Sequence, residues 1–198
     1  MVHDPPYLET SRVVVRRFRG RDIPDILRYS AHDESDEHRR RNIDWEPTAA
    51  GVRAWWTPMA KMQVDEATEW LGLVIEAKEL GCVVGNTGFK TETLGEHRQG
   101  MVGWIIGKDF EGRGYVLEAA TALLDYLFRI ERFRRVYAMT SAENERSWRL
   151  MERLGMRREA HFIRNSHHDA GWCDEYVYAI LAEEWTVPQP DAGGDDGS

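Results

Sequence analysis

The sequence predicts an α+β fold, a mixed and mostly antiparallel central sheet of about seven strands flanked by about four helices. Three observations carry that expectation. The hydrophobic period switches repeatedly between strand and helix values. Residues 70–107 read as consecutive strands with only turns and one polar connection between them, an antiparallel meander. Glycines 112 and 114 then lead into a long run of helical periodicity. At 198 residues the chain is the size of one domain with a real core, and 42% hydrophobic residues, 11% aromatics and 7 prolines describe a folded globular protein.

Taken in order, residues 11–18 (Ser-Arg-Val-Val-Val-Arg-Arg-Phe) are β-branched and read as a strand, and Asp22-Ile23-Pro24 reads as the cap and first turn of a helix. Residues 31–46 are almost all charged, cannot build a core and belong on the surface. In residues 49–62, Val52, Trp55, Trp56, Met59 and Ala60 recur at helical spacing and give a helix one aromatic face. Strands follow at 70–76, 82–90 and 100–107, with a turn at 79–81 and a polar connection after Lys90. Val116, Ala119, Ala120, Leu123, Leu124, Leu127 and Phe128 mark the apolar face of the longest helix. Residues 135–140 make a short strand, 145–154 an amphipathic helix stopped by Gly155, and 159–164 with 175–181 two alternating strands around a turn. Residues 8–186 are expected to form the domain, and 187–198 a disordered acidic tail.

Acidic side chains outnumber basic ones by 34 to 26, for a formal charge of −8, so a nucleic-acid partner is not expected. No apolar run approaches the ~18 residues of a membrane span, and the first six residues lack a signal pattern. The expectation is therefore a cytoplasmic protein with no membrane partner. Cys82 and Cys173 stand far apart without CxxC or Cys/His spacing, which argues for buried reduced thiols rather than a disulfide framework or a zinc site.

Residues 104–116 (Trp-Ile-Ile-Gly-Lys-Asp-Phe-Glu-Gly-Arg-Gly-Tyr-Val) run from a strand through a glycine turn into a helix. Such a turn suits an anion, because glycines let the backbone approach closely and the helix start offers unpaired N–H groups with roughly half a positive charge. Arg113 could add a side-chain contact, and the plain alternative is a strand-to-helix turn with no ligand. A dinucleotide fingerprint would need a third glycine where Leu117 stands, and a P-loop would need Gly-Lys-Ser/Thr, which never follows these glycines. In Asn144-Glu145-Arg146-Ser147, Asn144 reads as an N-cap and Ser147 as a first-turn polar residue.

The order of these motifs resembles the Gcn5-related N-acetyltransferases over about residues 8–186. It is most similar to the branch typified by the ribosomal-protein alanine acetyltransferases RimJ and RimL. Glu111-Gly112-Arg113-Gly114-Tyr115 with Glu118-Ala119 carries that likeness, together with Asn144-x-x-Ser147, residues 151–156 (Met-Glu-Arg-Leu-Gly-Met), Arg158-Glu159-Ala160, Asp174-Glu175-Tyr176-x-Tyr178 and Glu184-Trp185. The resemblance implies acetyl-CoA as co-substrate, with no metal. Its diphosphate would lie on the amides of Gly112, Arg113, Gly114, Tyr115 and Val116, its pantetheine arm along residues 102–106, and Asn144 would hold that arm from the opposite wall. Two positions depart from the family's Gln/Arg-x-x-Gly-x-Gly/Ala pattern: Glu111 puts an acid near phosphates, and Val116 replaces a small residue.

The implied reaction is direct attack of a primary amine on the thioester, with a protein or peptide N-terminal α-amine as the leading acceptor. A small amine such as a polyamine, aminoglycoside or amino-acid derivative is the alternative, and a non-catalytic acyl-CoA-binding module is the second. An oxyanion would find donors near Ile105 and Ile106. Many relatives place a tyrosine seven residues after the Asn as acid for the leaving thiolate. Here that residue is Met151, and Ser147 is the substitute. The amine must also lose a proton. Residues 100–106 hold no carboxylate, so His167, His168 and Glu159 are the candidate bases, imidazole being the side chain that ordinarily titrates near neutral pH. Adjacent residues on an extended segment point to opposite faces, which argues against metal binding by His167-His168-Asp169. The acidic run Asp33-Glu34-x-Asp36-Glu37, with Asp44 and Glu46, falls where the family builds its acceptor wall and favours a cationic amine or a basic N-terminus. Arg39-Arg40-Arg41 and Arg132, Arg134 and Arg135 read as solvated faces. Pairing into a homodimer is a further expectation from the relatives.

Overall fold

A computed structural model of the chain describes residues 7–31, 46–64, 67–168 and 171–188. Eight strands form one sheet in the order β1-β2-β3-β4-β5-β6-β8-β7, where β1 is Leu8–Glu9, β2 Val13–Arg16, β3 Leu71–Ala77, β4 Cys82–Leu94, β5 His97–Ile106, β6 Phe133–Ser141, β7 Arg157–His168 and β8 Gly171–Leu181. Every neighbouring pair is antiparallel except β5 and β6. The four helices among the described residues are α1 Ile23–Ala31, α2 Ala49–Met59, α3 Tyr115–Arg129 and α4 Glu145–Arg153.

The helices divide between the two faces, as their apolar stripes require. All seven apolar positions read on α3 are buried, and six of them, all but Val116, join Val13, Val15, Leu71, Leu73, Ile75, Val102, Val136 and the α4 residue Met151 in the main core. Each fully buried leucine there contributes roughly 1.5–3 kcal/mol relative to exposure. On the other face, Ile23, Ile26 and Tyr29 of α1 and Val52 and Trp56 of α2 pack on Phe18, Val74 and Val83 in a second core. The Thr48 hydroxyl caps α2 by accepting from the Gly51 N–H at 3.0 Å, an interaction worth about 1 kcal/mol. A 3-10 turn at Gly20–Asp22 leads into α1, and Asp22 is buried there against the equally buried Arg16.

Four elements differ from the sequence reading: β1 is an additional strand, the turn expected between residues 164 and 175 is strand as far as His168↔Gly171 and Ser166↔Cys173, and the leg of β4 beyond Lys90 and the edge strand β7 depart as follows. The polar connection after Lys90 is strand: the β4–β5 ladder continues from Thr91↔Gly100 to Leu94↔His97, turning at Gly95, and Gln99 donates to Glu92 across it at 2.7 Å. Cross-strand pairing, rather than burial, holds this end of the hairpin. β7, the edge strand, shows none of the expected alternation, because nearly all of its described side chains face water whichever face they lie on. Cys82 is half-buried, Cys173 is buried, and both are unpaired thiols. The acidic run Asp33–Glu37, Arg39–Arg41, Asp44, Asp169 and residues 189–198 of the expected tail lie outside the described residues. No helix among the described residues is long and apolar enough to cross a membrane.

Candidate functional site

The parallel pair supplies the cleft. β5 and β6 are laddered only from Arg98↔Phe133 to Met101↔Tyr137, and beyond that point they part. Residues 102–106 keep their partners on β4 and residues 138–141 theirs on β8, so each strand retains one edge without a ladder partner in the gap. The Phe133 ring pins the closed end, lying where any side chain on Gly100 would have to go. The open end faces the C-terminal ends of both strands, where crevices between parallel strands receive ligands.

Both strands then open a helix at this mouth. After β5, the Gly107 N–H donates to the Val84 carbonyl at 2.8 Å, a 3-10 turn spans Lys108–Phe110, and Gly112 and Gly114 adopt φ of 72° and 78°. Only glycine takes this left-handed conformation without strain. Gly114 is the N-cap of α3 and supplies no side-chain acceptor, whereas Thr48 and Asn144 do so at the starts of α2 and α4. The first-turn N–H groups of α3 therefore lack the side-chain acceptor that the other two helices have, in a loop that carries a partial positive charge.

The loop is braced from behind. Glu118 Oε1 accepts from Thr10 Oγ1 at 2.5 Å, Ser11 Oγ at 3.0 Å and the Arg12 N–H at 2.8 Å, while Oε2 takes Arg12 Nε at 2.7 Å. Burial acts to raise the Glu118 carboxyl, but these donors outweigh it and hold it below the usual carboxylate range. Arg12 continues through Nη1 to the Arg113 carbonyl at 2.9 Å and stacks on the Tyr115 ring, whose hydroxyl donates to Glu79. The hairpin of β1 and β2 thus fixes which way the loop's peptides point.

The opposite wall is the start of α4. Asn144 Oδ1 accepts from the Ser147 N–H at 3.2 Å, which orients the carboxamide and leaves its NH₂ as the donor end. Ser147 is half-buried in the first turn, and Met151 one turn on is enclosed in the main core. Arg146 crosses from this wall to Glu111 at 2.5 Å. The acid that departs from the family pattern is therefore paired with a guanidinium, and the two loops are in contact across the mouth.

The three candidate bases are spread apart. Glu159 lies on β7 between two arginines, with Arg135 at 2.5 Å and Arg157 at 2.7 Å. The Arg135 hydrogen bond and charge, with Arg157, hold its carboxyl below the ordinary range, which makes it a poor proton acceptor. His167 pairs with Trp172 near the tip of the β7–β8 ribbon, the rings in edge contact with centroids 5.1 Å apart. His168 follows it in the same strand, pairing with Gly171. That tip projects past Ser141↔Glu175, the last pair of β6, so it stands at the mouth end of the sheet but beyond β8 from the gap. Asp174 braces the ribbon by binding His161 Nε2 at 2.7 Å and the Arg164 N–H at 2.9 Å.

The fold therefore brings together Ile105, Ile106, Gly112, Arg113, Gly114, Tyr115, Val116, Asn144 and Ser147 around one mouth, and leaves Glu159, His167 and His168 outside it. Sequence reasoning missed the Arg12–Glu118 brace and the Arg146–Glu111 bridge. Opposite charges beside the quoted motifs were the available signal, but their partners are distant in the chain. Among the described residues no group of three or more His, Cys, Asp or Glu side chains is arranged to hold a metal.

The family model described as acetyltransferase (GNAT) domain matches residues 12–157. The chain is 29% identical over 179 residues to the uncharacterized N-acetyltransferase YnaD of Bacillus subtilis, covering 90% of this chain and 99% of that one. It is 27% identical over 187 residues to the ribosomal protein uS5-alanine N-acetyltransferase of Escherichia coli, covering 90% and 92%. Among solved structures, a GNAT-family acetyltransferase from Bacillus anthracis superposes with a TM-score of 0.72 at 28% identity, covering 90% and 100%. RimJ of Mycobacterium smegmatis, solved in complex with CoA-disulfide, gives 0.73 at 24% identity, covering 89% and 84%.

Proposed function

The chain belongs to the acetyltransferase (GNAT) domain family and is an acetyl-CoA-dependent N-acetyltransferase, and from that premise we propose that its acceptor is the N-terminal α-amine of a protein or peptide. One observation carries the placement of the donor: the uncapped, glycine-opened start of α3 adjoins the unpaired edge of β5 at the mouth of a parallel strand pair. The acceptor class is supported by the near full-length similarity to the uS5-alanine acetyltransferase.

The residues fit the donor. The amides of Gly112, Arg113, Gly114, Tyr115 and Val116 bind the diphosphate, with Arg146 turning toward it from Glu111. The free edge of residues 102–106 pairs with the amides of the pantetheine arm, and the Asn144 NH₂ meets that arm from the other wall. Main-chain N–H groups near Ile105 and Ile106 stabilise the oxyanion as the amine attacks, a donor of this kind being worth ~3 kcal/mol. Ser147 donates a hydrogen bond to the departing thiolate and relays it a proton, its hydroxyl being reprotonated through water by the proton that the attacking amine releases. With Glu159 bound to two arginines, the amine's proton leaves through water toward the ribbon tip at His167 and His168.

The test is a turnover assay in which free coenzyme A release is followed with peptides beginning in Ala or Ser, with polyamines, and with aminoglycosides. Peptide turnover is the expected result, and turnover on small amines alone rejects the acceptor class. The same assay on Ser147→Ala is expected to show kcat lowered about a hundredfold with the KM for acetyl-CoA near wild type. An unchanged kcat removes Ser147 from the reaction.

A further inference from the structure

Gly72, Gly88 and Gly103 lie in register across β3, β4 and β5, on the face that α1 and α2 cover. Large side chains fill the room they leave. A Cβ on Gly72 would fall 2.9 Å from Met59 Sδ and 3.1 Å from the Trp56 ring, and one on Gly103 would fall 3.1 Å from Cη2 of Trp70. Trp70 immediately precedes β3, so its indole crosses β4 and ends over β5. Gly103 belongs to the stretch of β5 that has parted from β6. The other face of that stretch is closed, with Val102 buried and Trp104 and Ile106 packed against the main core beneath α3 and α4.

A nucleophile approaching a carbonyl held at this edge therefore comes over the α1 and α2 face, where Trp70 lies over Gly103 of β5. The ring is half-buried and already receives a cation, Lys90 Nζ standing 5.5 Å from its centroid. Among the described residues, Glu69 is the carboxylate paired with that ammonium, at 4.0 Å. We infer that Trp70 is a specificity-determining residue of the acceptor subsite, its indole face being where a cationic primary amine docks before it loses its proton, a place that Lys90 holds in the free enzyme. This rests on the proposed course of the thioester along residues 102–106. Asn86, opposite Ile105 on the same face, donates through Nδ2 to the buried Tyr29 hydroxyl at 2.9 Å and supplies the polar neighbour such an amine would meet.

The test compares wild type, Trp70→Leu, Trp70→Phe and Lys90→Gln, using coenzyme A binding by calorimetry and steady-state kinetics with the peptide that turns over best. Coenzyme Kd is expected to stay within about twofold throughout. The acceptor KM should rise about tenfold in Trp70→Leu, recover mostly in Trp70→Phe, and fall in Lys90→Gln, where the ring is vacated. An acceptor KM unchanged in Trp70→Leu, or a KM that rises only together with the coenzyme Kd, overturns the assignment while leaving the donor site standing. Failure of the wild-type enzyme to bind coenzyme A overturns both.

Discussion

Replacing Gly114 by valine is expected to weaken acetyl-CoA binding about a hundredfold or more while the protein stays folded. Gly114 has φ of 78°, where an L-residue costs roughly 1–2 kcal/mol and a β-branched one more. Its Cβ would also stand 3.2 Å from Arg12 Nη2, the guanidinium that fixes the Arg113 carbonyl. The loop must turn, and its amides lose their common aim. Charge-assisted hydrogen bonds are worth about 1.5–3 kcal/mol each, so losing two accounts for the drop. The backbone cost is small against the roughly 5–15 kcal/mol of a whole domain. Gly81→Val is the control: Gly81 has φ of 61° in the turn between β3 and β4 with nothing within 4 Å of its Cβ position, so it carries similar strain away from the cleft. Calorimetry and thermal melts on both variants separate strain from site. Equal coenzyme affinity in the two would contradict the role given to the loop.

Asp22→Ala is expected to produce the largest loss of stability, about 3–5 kcal/mol, or roughly 6–20 °C in Tm. Arg16 and Asp22 are each 3% exposed, and the carboxylate takes both terminal nitrogens of the guanidinium, at 2.8 and 2.9 Å, as well as the Arg19 N–H at 2.7 Å. Removing it leaves a buried cation with Glu76 as its remaining carboxylate and frees the turn that starts α1. Because α1 carries Tyr29 onto Asn86, the acceptor face should loosen with it. Asp22→Asn keeps the size and part of the bonding and should fall between. A melt for Asp22→Ala within a degree or two of wild type would show that the pair contributes little.

What was legible in the sequence is what local chemistry determines. The α3 stripe from Val116 to Phe128, the stop at Gly155, the cap at Asn144 and the glycine turn each depend on residues within a few positions, and each is realised. Long-range pairing was not legible. The leg of β4 beyond Lys90 is polar, so no burial pattern announces it, and its ladder exists because the partner strand returns in register. β7 lacks alternation because its described side chains are exposed on both faces, so there is no buried face to record. Glu118 belongs to a local motif, yet its role depends on Arg12, 106 residues earlier, and Glu111 departs from the expected pattern but is paired with Arg146, 35 residues later. Trp70 reads as an ordinary strand aromatic, and what distinguishes it is the absence of a side chain on Gly103.

The most direct measurement of the central claim is a crystal structure of the enzyme with acetyl-CoA bound. The diphosphate oxygens should lie about 3 Å from the main-chain nitrogens of residues 112–116, with the thioester carbonyl beside Ile105 and Ile106 and the pantetheine arm between β5 and β6. Coenzyme ordered elsewhere on the protein, with the amides of that loop turned to solvent, would contradict it.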